Sequence, residues 1–394
     1  FQSAFSQSRP TPRPGLSAGR RVRVGFLVTA GHEAGFIRGT AGIIERLNAD
    51  RFETVLFCAQ QSVKRIRKSF QRTDLAIVPL PRRFDHAVQA ARTASCDVIY
   101  FWKVGADTWN QLLPMARLAP IQCTSWGTHG TSGVGAVDYY LSSQLIESDE
   151  AGIDAHAHYS ERLALLPTLP TWQTRQADRK PANRDAFGLA SDGAIYFCPH
   201  RPAKYHPDFD AYLSDVLKAD PNGQLVLLCG LRSQDSDLLR ARLLRQLGSS
   251  LFRRVHILPA MSLDRYYQLL SLATMVLDSP VYAGGITAYD AFSYGTPVVT
   301  QPGALAVQNY TAGLYRRMGI SGLTATNQQH FVDIARRLGN EPDFRRDYSQ
   351  TILDAGDTIF EDPHAVTAIE SFLHTVTQLK KGESKSAGVR ESRP

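Results

Sequence analysis

Four segments of the 394-residue chain combine residue types that bind phosphate or move a proton. The richest runs from Asp278 to Thr300. An expected strand ends there near Asp278, a glycine pair, Gly284 and Gly285, lets backbone approach a ligand, and an expected helix starts at Ile286. The open N–H groups of a helix start suit a diphosphate, and the Thr287 hydroxyl adds a further donor. Asp290, one turn into the helix, stands where a carboxylate accepts hydrogen bonds from ribose hydroxyls. The same residues also suit a tight strand-to-helix turn with Asp290 as a helix-start charge, and the segment alone does not separate the two.

The second segment, Ala119–Gly133, packs glycines between Thr128, His129, Thr131 and Ser132. Backbone and hydroxyl groups of Gly130-Thr131-Ser132-Gly133, with His129 beside them, suit sugar and phosphate contact; a wide glycine-rich loop is the plain alternative. The third, Thr29–Gly35, lacks the G-x-G-x-x-G spacing of a dinucleotide fold, which disfavours a dehydrogenase. Its His32 lies just past a strand, where an imidazole can take a proton from an attacking hydroxyl, although a lone loop histidine is as readily a surface residue. In the fourth, Phe197–Pro207, Lys204 and Arg201 can neutralise charge on a departing diphosphate, or form a solvated basic turn. His200 and His206 make no metal pair, because no carboxylate or third ligand follows at suitable spacing. The chain has no Walker A motif, no G-x-S-x-G elbow, no H-E-x-x-H and no kinase set. D-x-D occurs as Asp208–Asp210 and Asp235–Asp237, both in helix-like context and both read as helix-start charges.

The elements that must position these segments alternate short β-branched runs with amphipathic stretches, the pattern of parallel sheets flanked by helices. Strands are predicted at Val22–Val28, Thr54–Cys58, Leu75–Val78, Val98–Phe101, Ile121–Ser125 and Val137–Ser142, with a helix over Ala34–Asn48 that buries Ile37, Ala41, Ile44 and Leu47. Residues 21–170 thus form one α/β domain. Residues 171–192, with Pro181 and the polar run Gln173–Asp185, read as a linker. The alternation resumes over 193–379, with strands predicted at Ala194–Cys198, Leu225–Cys229, Val255–Leu258, Met275–Leu277 and Pro297–Thr300 and helices at Asp208–Lys218, Asp235–Leu247, Leu263–Leu272 and Ile286–Ser293, and ends in helices at about Gln328–Leu338 and Pro363–Gln378. Residues 1–20 and 380–394 read as disordered. Two such domains imply a cleft between them, with ligands at the carboxyl ends of the strands.

The formal charge of +7 is concentrated at the ends: residues 1–20 and 380–394 carry a net +3 each, which leaves +1 for the body. That balance argues against a nucleic-acid groove, which needs many Lys and Arg contacts to phosphate. No apolar run approaches the roughly 20 residues of a membrane span. The five cysteines, Cys58, Cys96, Cys123, Cys198 and Cys229, are scattered through apolar runs, so they read as small buried hydrophobes in a reducing compartment, the cytoplasm.

Ala119–Gln122, Gly130-Thr-Ser-Gly133, Val137-Asp-Tyr139, Tyr159-Ser-Glu-Arg-Leu163, Leu277–Pro280 and Gly295-Thr-Pro-Val-Val-Thr300 occur in an order that resembles the catalytic region of the O-linked N-acetylglucosamine transferase and SPINDLY-like family. The resemblance runs from about Val22 to about Leu379. It implies a GT-B architecture, two Rossmann-like domains facing a cleft, and an inverting transfer from a UDP-sugar without metal or other cofactor. On that model Lys204 stabilises the leaving diphosphate, Gly284, Gly285, Ile286 and Thr287 form the phosphate turn, and Asp290 binds ribose. Gly130, Thr131, Ser132 and Gly133 lie near sugar and phosphates, the base rests on the backbone at Ala260 and Met261, and His32 serves as base or acceptor-site residue. His129 and Arg201 are further candidates for acceptor or sugar contact. The acceptor implied is a protein or peptide hydroxyl, with no nucleic-acid partner and no membrane insertion. Three departures stand out: the turn reads Gly285-Ile286-Thr287, with one polar side chain fewer than the family turn, an arginine of the family is replaced around Gln308–Asn309, and Leu263 replaces a lysine near the base. An epimerase or hydrolase of the same fold, and a silent peptide-binding module, are the competing readings.

Overall fold

A computed structural model describes residues 20–147, 154–176, 181–230 and 233–391. The expected disordered start therefore lies almost wholly outside the described residues. The chain divides into two units, residues 1–173 with 361–394, and residues 174–360.

The first unit alternates β1 (Val22–Leu27), α1 (Glu33–Arg46), β2 (Phe52–Ala59), α2 (Val63–Lys68), β3 (Ala76–Leu80), α3 (Phe84–Thr93), β4 (Val98–Phe101), α4 (Thr108–Met115) and β5 (Ile121–Ser125), then adds β6 (Tyr139–Ser143) and β7 (Arg162–Leu166). All seven strands pair in parallel, in the order β3-β2-β1-β4-β5-β6-β7. A sheet covered on both faces needs apolar residues at successive positions, and β4, Val-Ile-Tyr-Phe, is buried at all four. Helix α1 buries Phe36, Gly39, Thr40, Ile43 and Ile44. Of the expected Ile37, Ala41, Ile44 and Leu47, the last two are buried and the first two half-buried, so the buried face is shifted toward the small residues Gly39 and Thr40. The cause is aromatic packing: a Cβ on Gly39 would lie 2.7 Å from the Trp102 ring.

The second unit runs β8 (Ile195–Cys198), α5 (Pro207–Ala219), β9 (Gln224–Leu228), α6 (Ser233–Phe252), β10 (Val255–Leu258), α7 (Leu263–Leu272), β11 (Met275–Leu277), α8 (Ile286–Ser293) and β12 (Val298–Val299), followed by α9 (Tyr310–Met318), α10 (Gln328–Asn340) and α11 (Pro342–Ala355). Its strands are also parallel, in the order β10-β9-β8-β11-β12. Both units are thus α/β and doubly wound, as the alternation predicts.

The final helix, α12 (Pro363–Glu391), departs from the expected boundaries in two ways. It belongs to the first unit, where Phe372 meets the Tyr139 ring edge-on at 5.5 Å and the Glu370 carboxylate accepts from the Asn48 N–H at 2.7 Å. Its apolar face, Ile369, Phe372, Leu373 and Val376, is what an open sheet needs as cover. It also continues as helical backbone to Glu391 where a disordered tail is predicted from 380. No proline interrupts that stretch, and Lys381, Glu383, Lys385, Ala387 and Arg390 favour helix. The expected linker divides at 173/174, its later part belonging to the second unit.

Candidate functional site

In a doubly wound sheet the loops that follow the strands diverge where the strand order reverses, which leaves a crevice at the carboxyl ends. In the first unit that point lies between β1 and β4. The chain leaves β1 through a turn at Gly31, φ +88°, and His32 precedes α1. It leaves β4 through Gly105, φ +80°, and Asp107 caps α4 by accepting from the Asn110 N–H at 2.9 Å. The two loops meet: the His32 Nε2 atom lies 3.0 Å from Asp107 Oδ2. The same carboxylate oxygen accepts from Thr29 Oγ1 at 2.9 Å and Asn110 Nδ2 at 2.7 Å. Burial pushes the Asp107 carboxyl up, but the hydrogen bonds from Asn110 and Thr29 and the neighbouring imidazole outweigh it and hold the group below its ordinary value. An ionised Asp107 fixes the ring with Nε2–H toward the carboxylate, which leaves Nδ1 as the nitrogen that takes a proton. Asp107 escaped the sequence reading, and its one local signal is Asp followed three residues later by Asn110 at a helix start. A cavity of about 520 Å³ opens beside the pair, walled by Ala30, Ala59, Leu80, Pro81 and Trp109.

The loop Gly130-Thr131-Ser132-Gly133 lies between β5 and β6 of the same unit. Its hydroxyls, expected to reach a ligand, are engaged by the buried Glu161: Thr131 Oγ1 donates to it at 2.7 Å, the Ser132 N–H at 2.8 Å, and Ser132 Oγ donates as well. Gly133 turns the chain at φ +63° and its N–H reaches Thr131 Oγ1 at 3.3 Å. These side chains therefore tie the loop to the residue that precedes β7. His129 is half-buried in the same loop.

In the second unit the reversal lies between β8 and β11. The loop after β8 is braced by Tyr205, whose hydroxyl donates to the Cys198 carbonyl at 2.6 Å, and by Arg242, which donates to the Tyr205 carbonyl at 2.8 Å and forks onto Asp210 at 2.7 and 2.9 Å. Burial raises the Asp210 carboxyl against the pull of Arg242. The loop presents an exposed Arg201 and Lys204, whose Nζ lies 4.0 Å over the Tyr282 ring. The loop after β11 is organised by Asp278, buried at 1% exposure. Its carboxylate accepts from the Gly284 N–H at 2.6 Å, Thr311 Oγ1 at 2.6 Å and Thr300 Oγ1 at 3.1 Å. The buried His200 lies 3.4 Å from the same carboxylate and accepts from the Ser279 N–H at 3.4 Å, so it joins the two loops. Gly284 is required here, since a Cβ would come within 2.6 Å of Thr287 Oγ1. Helix α8 then starts after Gly285 with no side chain capping it. Asp290 points inward: it is buried and accepts from the Tyr267 hydroxyl at 3.2 Å, so a ribose would share its carboxylate with that phenol. Ala260 and Met261 lie in the loop after β10, with the exposed Leu263 opening α7.

The structure thus brings Lys204 beside Tyr282, and through it beside the Gly284, Gly285, Ile286 and Thr287 turn, at one crevice; it pairs His32 with Asp107 at the other. Asp278 and His200, which hold the turn, were not singled out as site residues because nothing local marks them. Among the described residues no group of three or more His, Cys, Asp or Glu is arranged to hold a metal ion.

Residues 173–360, the second unit and the one residue before it, match the model of glycosyl transferase family 41. The probable UDP-N-acetylglucosamine–peptide N-acetylglucosaminyltransferase SPINDLY of Arabidopsis thaliana is 28% identical over 270 residues, 66% of this chain and 29% of that one. Its barley (Hordeum vulgare) counterpart is 30% identical over 238 residues, 59% and 24% of the two chains. The chain spans about a quarter of the length of the curated relatives it matches. Among solved structures, a mutant form of the Thermobaculum terrenum O-GlcNAc transferase superposes with a TM-score of 0.73 at 20% identity, covering 96% of this chain and 70% of that one. Anabaena HepE in complex with UDP-glucose gives 0.55 at 14% identity, covering 93% and 100%. The fold is that of the GT-B glycosyltransferases. With order of motifs, fold and family model in agreement, residues 173–360 form a glycosyl transferase family 41 domain, and the chain as a whole is similar to the O-linked N-acetylglucosamine transferase and SPINDLY-like glycosyltransferases.

Proposed function

We propose that the protein transfers a sugar, N-acetylglucosamine or another hexose, from a UDP-sugar to the hydroxyl of a protein Ser or Thr. The observation that carries this reading is the turn from Gly284 to Thr287, held by Asp278 at an uncapped helix start with Lys204 close by. Helix-start N–H groups and a lysine are what a diphosphate needs, in the ground state and more so as charge builds on it. Backbone donors serve here even with Ile286 in place of a polar residue. The acceptor oxygen attacks the anomeric carbon opposite the diphosphate, the carbon–oxygen bond to the diphosphate breaks, and UDP leaves with inversion. The acceptor proton passes to Nδ1 of His32, directly or through a water, and Asp107 stabilises the imidazolium. Lys204 and the turn hold the charge on UDP, so the step calls for no metal. Ala260 and Met261 bear the base, Asp290 the ribose. The unpaired cysteines fit a cytoplasmic setting.

The test is a thermal-shift panel of UDP, GDP, UDP-N-acetylglucosamine, UDP-glucose, GDP-fucose and NAD, followed by product analysis with the stabilising donor. Stabilisation by uridine ligands and not NAD, with sugar appearing on peptide hydroxyls, supports the reading. Free sugar or an epimer alone points to the hydrolase or epimerase, and no shift with any ligand to a silent binding module.

A further inference from the structure

The cavity beside His32 and Asp107 carries more than a base. Of its polar lining groups, Thr29 and Asp107 bond each other, which leaves Gln61, Arg82 and Thr108 facing a space walled by Leu80, Pro81 and Trp109. Arg82 is exposed and has no acidic partner among the described residues, whereas the adjacent Arg83 forks onto Asp85 at 2.8 and 3.2 Å. The Trp109 ring is held edge-on against Phe84 at 5.8 Å, so it offers a fixed apolar surface. At about 520 Å³ the cavity lies in the range that encloses a small ligand or a short run of side chains. The carboxylate in the lining, Asp107, is already satisfied by three donors. The one uncompensated charge in the lining is therefore positive.

Building on the transferase reading, we propose that this cavity is the acceptor subsite and selects a peptide with an apolar side chain and a carboxylate next to the reacting hydroxyl, Trp109 and Arg82 being its specificity-determining residues. The apolar side chain packs on Trp109, the carboxylate takes the planar guanidinium fork of Arg82, and the hydroxyl between them is carried to His32.

Two fluorescein-labelled heptapeptides, identical but for Glu or Lys after a single Leu-Ser, test it by anisotropy on the full chain, with the UDP thermal shift run in parallel. The Glu peptide is expected to bind about tenfold more tightly, Arg82→Glu to reverse the order, and Trp109→Ala to weaken both. Because the readout is a ratio of two peptides on one protein, a general loss of folding does not produce it; Trp109→Phe, which keeps a ring on Phe84, guards against such loss at that site. Equal binding, or none, in a preparation that UDP stabilises overturns the inference and leaves the transferase reading standing. Selective binding without nucleotide stabilisation removes the transferase reading, and the acceptor assignment with it.

Discussion

Replacing Asp278 separates its two duties, acceptor geometry and charge. In Asp278→Ala the Gly284 N–H and the Thr300 hydroxyl lose their partner in a buried place, while Thr311 Oγ1 keeps the Gly284 carbonyl at 3.2 Å. At ~1–3 kcal/mol for each orphaned donor, the loss is about 3 kcal/mol once the removed burden of a buried charge is counted. Asp278→Asn keeps one oxygen for Gly284 and offers an amide that the threonine hydroxyls can accept, so about 1 kcal/mol is expected. For a domain of this size roughly 2–4 °C of melting temperature goes with each kcal/mol, hence a drop of about 6–12 °C for Ala and about 2–4 °C for Asn. The assay has an internal control. All four tryptophans, Trp102, Trp109, Trp126 and Trp172, lie in the first unit, so calorimetry follows both units while tryptophan fluorescence follows only one. An Ala variant that melts within about 2 °C of wild type would show that the carboxylate does not hold the turn, and an Asn variant as damaged as Ala would assign the effect to charge rather than to acceptor placement.

Lys204→Ala should leave the melting temperature unchanged and lower kcat by about 10²–10³-fold, the usual cost of losing a charge-stabilising group; normal turnover would remove it from the leaving-group role. His32→Ala should cost about 10²–10⁴-fold in kcat, and Asp107→Asn somewhat less, because an amide holds the ring in the wrong tautomer without removing it; an unaffected Asp107→Asn enzyme would dissolve the pairing. Asp107 is held below its ordinary 3.8, so its contribution to stability is complete above that value and drains away as pH falls through the lowered native value. Tryptophan-monitored melts of Asp107→Asn should accordingly be flatter than wild type on the acid side, and identical acid limbs would contradict the assignment. UDP at a hundred times its dissociation constant should add about 2.7 kcal/mol of stability, lost on substituting Gly284 by Val.

Much of the fold was legible because its strands are short apolar runs flanked by breakers. The expected Val98–Phe101, Ile121–Ser125, Val255–Leu258 and Met275–Leu277 coincide with β4, β5, β10 and β11, and Ile286–Ser293 with α8. The expected end of the helix at Leu247 falls beside Gly248, φ +73°, which interrupts α6. Strand β7 escaped because, among the described residues, no α-helix separates it from β6, so the βα rhythm gives no cue. Helix α9 escaped for the opposite reason. Thr311 and Gly313 are poor helix formers, and with seven of its nine residues buried it has little polar face to reveal a period. Site residues divided in the same way. His32, Lys204 and the glycine pair sit next to strand ends that sequence can locate, whereas Asp107 is 75 residues from His32 and Asp278 gathers donors up to 33 residues away. Such partners are set by topology, and only the fold brings them together.

The return of α12 to the first sheet makes the second unit an insertion within the first, entered at 173/174 and left at 360/361. A ribosome delivers residues 174–360 as one continuous stretch, complete before the helix that finishes the earlier-synthesised unit has emerged. The usual order of synthesis, amino-terminal domain first, is then reversed at the final step: the second unit closes while the first sheet still waits for its cover. Released chains that stop before and after α12 would differ in protease resistance of the first unit alone. A nonsense mutation shortly after Phe360 would thus release a protein whose damage lies at its beginning, with Phe26, Tyr100 and Leu141 deprived of Ile369, Phe372 and Leu373.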